Sequence, residues 1–205
     1  NDLNLNDASD ASTDADGDDL TALEEFGYGT SPTRKDSDFD TLPDGWEVAK
    51  WRNPLIADYQ VSAGPHNTCA IDDNGVSCWG YNGGGQTDLV NPVAVSAGYR
   101  HTCAIDDNGV RCWGRNEDGE TDVPTDLVNP VAVSVGKYYT CVLDDVVIQR
   151  TGVNRVRCWG RNTQGQTDVP TDLINPVAVA VGWFHTCALD DNRVHCWGHN
   201  ADGNT

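Results

Sequence analysis

The chain has 205 residues, with 13 Lys/Arg against 32 Asp/Glu, giving a formal net charge of -19. A surface this acidic repels a phosphate backbone and excludes nucleic-acid binding from the working functions. Its sequence holds no uninterrupted apolar stretch of the length a membrane helix needs, so no membrane insertion is expected.

The first 60 residues carry fifteen Asp/Glu, four Lys/Arg and no cysteine. Two segments within them share one spacing: "DADGDDLTALEE" (Asp14 to Glu25) and "DSDFDTLPDGWE" (Asp36 to Glu47). Each runs D-x-D-x-D, then Leu at the seventh position and Glu at the twelfth. Alternate carboxylates on a tight loop converge on one cation, a carbonyl at position seven adds an oxygen, and the last Glu closes the shell. The first ligand set is Asp14, Asp16, Asp18, Leu20 and Glu25, with Leu20 acting through its carbonyl. The second is Asp36, Asp38, Asp40, Leu42, Asp44 and Glu47. The cation expected of all-oxygen ligands is calcium.

These segments resemble the calcium repeats of bacterial surface proteins, which are similar to thrombospondin type 3 repeats; "LPDGWEV" carries much of the likeness. Relatives of that kind place Gly at the fourth and sixth loop positions. Here Gly17 keeps the fourth position and Asp19 takes the sixth, while Phe39 and Thr41 stand at the same places in the second loop. "LTALEEF" and "PDGWEVAKW" read as short helices that pack on each other through Leu20, Leu23, Phe26, Leu42, Trp46, Val48 and Trp51. Residues 1–58 are thus expected to form an acidic calcium-binding module, joined to the remainder by "WRNPLIADYQ".

From residue 59 onward the chain repeats. Four related lines begin at Val61, Val95, Val133 and Val179, giving repeats over 61–94, 95–132, 133–178 and 179–205. Each reads as three short strands: "PVAVSAG" with period-two alternation, "HTCAI", and "VRCWG". "DDNG" between the last two marks a hairpin. Counting outward across a four-residue turn at 106–109 opposes Ile105 to Val110, Ala104 to Arg111 and Cys103 to Cys112. Opposed positions lie within disulfide reach. The expected bridges are Cys69–Cys78, Cys103–Cys112, Cys141–Cys158 and Cys187–Cys196. In the third repeat "VVIQRTGV" lengthens the hairpin evenly, which keeps both cysteines on one face. No C-x-x-C occurs, so zinc is not expected. Trp79, Trp113, Trp159 and Trp197 are expected to fill the spaces between neighbouring repeats.

The string "VSAG…HTCAI…V-x-CWG-x-N…GQT" resembles the repeat of the regulator of chromosome condensation family, most of all its short-blade bacterial members. The resemblance covers Val61 to Thr205 and implies an all-β fold, a β-propeller-like arc of about four short three-stranded blades. Propellers of this family usually close with seven blades. Four such wedges make an open arc, and exposed sheet edges favour self-assembly.

Nothing in the sequence forms a catalytic constellation. His101 and His185 share a blade position with Asn67 and Tyr139, and the Asp pairs recur at every hairpin, where they cap turns. The chain is therefore expected not to be an enzyme. It reads as an extracellular or cell-surface protein, structural or adhesive, calcium-rigidified and disulfide-stapled, self-assembling into an oligomer or filament. It has no Met, which marks it as processed or as part of a longer protein. Two alternatives stand beside that reading. One is a propeller binding a specific protein through aromatic loops that include Tyr81, Tyr99, Tyr138, Trp183 and Phe184. The other is an accessory domain of a secreted enzyme.

Overall fold

The computed structural model describes residues 10–39, 42–49, 53–55, 59–72, 75–81, 88–145, 154–201, 203 and 205. The chain divides into two compact units, Asn1–Tyr59 and Gln60–Thr205.

Among its described residues the first unit is loop-rich, with a short turn of 3-10 helix at Asp10–Ser12 and two helices, α1 (Ala22–Tyr28) and α2 (Asp44–Ala49). Thr21 caps α1 in a capping box with Glu24, and Gly29 ends it in the left-handed conformation. Both caps satisfy amides and carbonyls that a two-turn helix leaves open. Leu20 and Leu42 are buried as the sequence predicts, but Leu23 and Phe26 are 64% and 85% exposed. Instead of an apolar stripe, α1 turns Glu25 inward, the only one of its residues that is buried. The amide of Gly45, near the start of α2, donates to Asp18 of the first loop, so α2 docks on that loop. Gly45 is required there, because an added Cβ would collide with the Asp18 backbone. Trp51 lies outside the described residues.

The described residues of the second unit form four three-stranded antiparallel sheets, each in sequence order. Blade 1 is β1 (Gln60–Ala63), β2 (Asn67–Asp72) and β3 (Gly75–Gly80); blade 2 is β4 (Ala94–Ala97), β5 (His101–Asp106) and β6 (Gly109–Gly114). Blade 3 is β7 (Pro130–Val135), β8 (Tyr139–Asp144) and β9 (Arg155–Gly160); blade 4 is β10 (Ala178–Val181), β11 (His185–Leu189) and β12 (Val194–Gly198). This is the all-β propeller-like arc that the repeat implied.

The cysteine register is as counted: Cys103 opposes Cys112, with Ala104 against Arg111 and Ile105 against Val110. All four disulfides are present, each with Cα atoms 4.1 Å apart. One detail differs. Asp106 pairs with Gly109, so the hairpin loop is two residues rather than four. Gly109, at φ +101°, allows the tighter closure. In blade 3 the pairing runs to Asp144 and Arg155; the insertion, residues 146–153, lies outside the described residues. Each bridge constrains its hairpin in the unfolded chain and contributes about 2.5–3 kcal/mol in the chain-entropy account.

Each sheet is too small to bury much alone, so the core lies between blades. One cluster joins Cys69 and Ile71 of blade 1 to Val95, Ala104 and Trp113 of blade 2; another joins Tyr139, Cys141 and Leu143 of blade 3 to Ala188 and Trp197 of blade 4. Trp159 Nε1 donates to the Glu120 carbonyl, and Trp197 Nε1 to that of Gln166, each on the loop after the preceding blade. Trp113, Trp159 and Trp197 are each 8% exposed, whereas Trp79 is 55% exposed. The expectation that all four indoles fill inter-blade space therefore fails at Trp79, which has the acidic unit rather than a repeat before it in the chain.

A polar ladder adds to this. Ser62, Ser96 and Ser134 each accept the amide of the following blade's first strand, at Ala97, Val135 and Val181. Among the described residues no helix is long and apolar enough to cross a membrane.

Candidate functional site

Two arrangements go beyond what the fold requires, one in each unit. In the first unit, Asp14, Asp16 and Asp18 bring carboxylate oxygens within 4.8 Å of one another, and Asp18, Glu25 and Asp44 do the same. Asp18 belongs to both groups. Asp14 is organised by the amides of Gly17, Asp18 and Asp19. Asp18 accepts from the amides of Leu20 and Gly45. Asp44 accepts from the amide and hydroxyl of Ser37 at 2.7 Å each.

Glu25 is fully buried, yet among the described residues neither of its carboxylate oxygens, nor either oxygen of Asp16, accepts a hydrogen bond of ordinary length and angle. Burial, then the charges of Asp16, Asp18, Asp44 and Asp14, push Glu25 up to about 7. Burial, with Asp18 and Asp14, also raises Asp16, and burial raises Asp44. Desolvated carboxylates gathered without a counter-charge are costly. A hard cation bound through oxygen would reverse that cost, and the donor set fits calcium. The loops take glycine-like turns: Gly17 and Asp19 both sit at φ +78°, and Phe39 at +69°. The left-handed conformation costs most non-glycine residues roughly 1–2 kcal/mol, with Asp among the residues that tolerate it, so Phe39 is the one that holds a turn glycine would hold without strain.

The sequence placed Asp44 with the second loop; the structure sets it beside Asp18 and Glu25. The cause is the docking of the α2 N-terminus on the first loop. Leu20 lies buried in that loop. Asp36 accepts the Phe39 amide, and Glu47 is fully buried. Among the described residues, Asp36, Asp38 and Glu47 do not join the three-carboxylate groups. Asp40 lies outside the described residues.

In the second unit, the turns between the first two strands of each blade differ while their surroundings repeat. After a glycine in every blade come Pro65-His66, Tyr99-Arg100, Lys137-Tyr138 and Trp183-Phe184. Three of these glycines, Gly64, Gly98 and Gly136, let adjacent blades touch. A Cβ on Gly98 would stand 2.5 Å from the Gly136 carbonyl oxygen, and one on Gly136 would stand 2.8 Å from that of Gly182. The variable turns are thereby brought side by side.

They form one aromatic and cationic face. Tyr99 lies 4.8 Å from His66, 5.8 Å from Tyr138 and 6.4 Å from Trp183, ring centre to ring centre. The Lys137 ammonium is 4.7 Å from the Trp183 ring and 5.1–5.4 Å from those of Phe184, Tyr138 and Tyr99. Arg100 lies over both Tyr99 and Tyr81, and Arg115 and Arg161 lie over Tyr138. A cleft of about 430 Å³ opens among these turns, with Ala63, Ala97, Val135 and Val181 in its walls. All five aromatic residues singled out in the sequence share this face. Its cations, Arg100 and Lys137, were not singled out; the signal was their place inside the variable dipeptide.

His101 does other work. His101 is buried and its Nε2 lies 2.9 Å from the Thr140 hydroxyl of the next blade. Burial, then Arg115, lowers it to about 4, so the ring is neutral. Asn67 and Tyr139, at the same blade position, also bond to the following blade. This position is an inter-blade link. The Asp residues at the hairpins cap them, as Asp106 does for Asn108, and also hold the incoming loop, as Asp144 does at the Val128 amide.

Residues 93–120 and 177–204 match the regulator of chromosome condensation (RCC1) repeat. No curated protein matches the sequence. Among solved structures, the ectodomain of the Physcomitrella patens receptor kinase CR4 is 25% identical with a TM-score of 0.56, covering 75% of this chain and 45% of that one. The CRINKLY WD40 ectodomain of the Arabidopsis thaliana receptor kinase ACR4 is 26% identical with a TM-score of 0.53, covering 71% and 54%. Yeast RCC1 (Prp20), solved bound to Kap60, is 15% identical with a TM-score of 0.53, covering 69% and 43%. The chain thus spans about half the length of these structures or less; two segments of its second unit match the RCC1 repeat, and that unit has an RCC1-like propeller fold.

Proposed function

We propose that the chain is a non-catalytic binding protein of the extracellular space or cell surface. Its stapled blades present the Tyr99–Lys137–Trp183 face to a protein partner, and its acidic unit is ordered by calcium. The observation that carries this reading is the convergence of all four variable dipeptides on one face of an otherwise repeated scaffold. Variation confined to loop positions on a rigid frame is how binding surfaces are built, and Trp, Tyr and Arg are the residues that anchor them. Four disulfides suit an oxidising compartment, and the likeness to two receptor ectodomains points the same way. The orphaned oxygens of Glu25 and Asp16 support calcium.

The test is comparative capture. The immobilised protein and its Tyr99→Ala/Trp183→Ala variant are exposed to the same extracellular protein mixture. The reading expects at least one protein held by the native face and lost on the variant; identical captures would contradict it.

Self-assembly into an oligomer or filament is a second reading, favoured by the exposed Trp79, whose counterparts in later blades are buried. Light scattering that finds a stable monomer at high concentration would remove it.

A further inference from the structure

The second unit holds nine Lys/Arg against seventeen Asp/Glu beyond residue 60, yet its cations are not spread evenly. Arg100, Arg115, Lys137 and Arg161 all approach the rings of Tyr99 or Tyr138. Arg115 is neutralised by Glu117, Asp118 and Glu120, and Arg161 by Asp118. Arg100 and Lys137 differ: among the described residues, neither has a carboxylate within ion-pair distance, and their recorded neighbours are rings. The most aromatic face of an acidic protein therefore carries two uncompensated positive charges.

Resting on the reading of this face as partner-binding, we infer that the partner presents an acidic polypeptide segment, its carboxylates meeting Arg100 and Lys137 and its apolar side chains entering the cleft. Charge complementarity selects the sign. A carboxylate gains from both cations, while the surrounding rings exclude water and strengthen the pairing. The cleft of about 430 Å³, walled by Ala97, Val135 and Val181, takes an apolar side chain beside each pair. A densely charged polyanion fits less well. Two cations are few for it, and the acidic remainder of the chain repels it.

The test uses fluorescence anisotropy on the full chain with three labelled peptides: alternating Glu and Ala, alternating Gln and Ala, and alternating Lys and Ala. A heparin oligosaccharide serves as the polyanion control. The inference expects the Glu/Ala peptide to bind, its affinity falling about tenfold in Arg100→Gln/Lys137→Gln and falling again as salt rises past the screening range. The Lys/Ala peptide should not bind. Circular dichroism and intact disulfides establish that the variant is folded, and Trp183→Ala provides a second variant that keeps both charges.

Equal binding of the Gln/Ala peptide, lost in Trp183→Ala, would overturn acidic selectivity and leave the partner-binding face standing. Heparin binding in place of the Glu/Ala peptide would overturn the polypeptide assignment. If no peptide binds and comparative capture also shows no difference, both the inference and the reading beneath it fail.

Discussion

The Lys137 ammonium of the third blade lies 4.7 Å from the Trp183 ring of the fourth. A cation over an indole is favourable, but this contact does not build the core, because Trp183 is 56% exposed. It arranges a surface. Trp183→Ala is therefore expected to change unfolding free energy by less than about 1 kcal/mol while abolishing capture of the partner. Chemical denaturation and the capture assay, run on one preparation, check both halves.

The inter-blade tryptophans predict the reverse. Trp159→Phe removes the bond to the Glu120 carbonyl from a buried site; the carbonyl keeps the Thr140 hydroxyl, so the expected cost is one hydrogen bond, about 0.5–1.5 kcal/mol, plus the packing lost with the smaller ring. The same change at the exposed Trp79 is expected to cost less than about 0.5 kcal/mol. Equal losses at the two sites would contradict the blade-on-blade account.

Glu25→Gln separates charge repulsion from metal binding. Without calcium, removing one buried charge from beside Asp16, Asp18 and Asp44 should stabilise the acidic unit. With calcium, the variant should gain little, having lost a ligand oxygen of full charge. Melting followed by circular dichroism in EDTA and in calcium checks this crossover. A native protein indifferent to calcium would sink the metal assignment.

The same group sets a pH dependence. Glu25 is held at about 7 in the folded unit against an ordinary value of 4.5. Between those values the folded state binds more protons than the unfolded one, so stability in EDTA falls as pH rises through this window. Calcium requires the carboxylate, so its affinity falls as pH drops below about 7. Calorimetry across the window in EDTA checks the first slope, and calcium titration at its two ends checks the second. Stability that rises with pH in EDTA would refute the burial of an unpaired Glu25.

Much of the fold was legible because repetition made it so. Two cysteines nine residues apart around "DDNG" have one antiparallel register that brings them together, and the observed pairing of Cys103 with Cys112 is that register. The carboxylate spacing from Asp14 to Glu25 likewise marked residues that the structure gathers. What was not legible came from long-range packing. Phe26 looks like a core residue by composition, but α1 rotates to present Glu25 to the cluster. Asp44 looks like part of its own loop, but α2 docks on the other. The Lys137 cage joins residues of three blades, and no local pattern encodes which turns the close glycine contacts will bring together.

The central claim is that the variable turns form the working face. Amide hydrogen exchange of the protein with its captured partner tests it most directly. The account predicts new protection confined to the turns at 64–66, 98–100, 136–138 and 182–184. Protection at the loops between blades, around 116–128 and 162–174, with these turns unchanged, would contradict it.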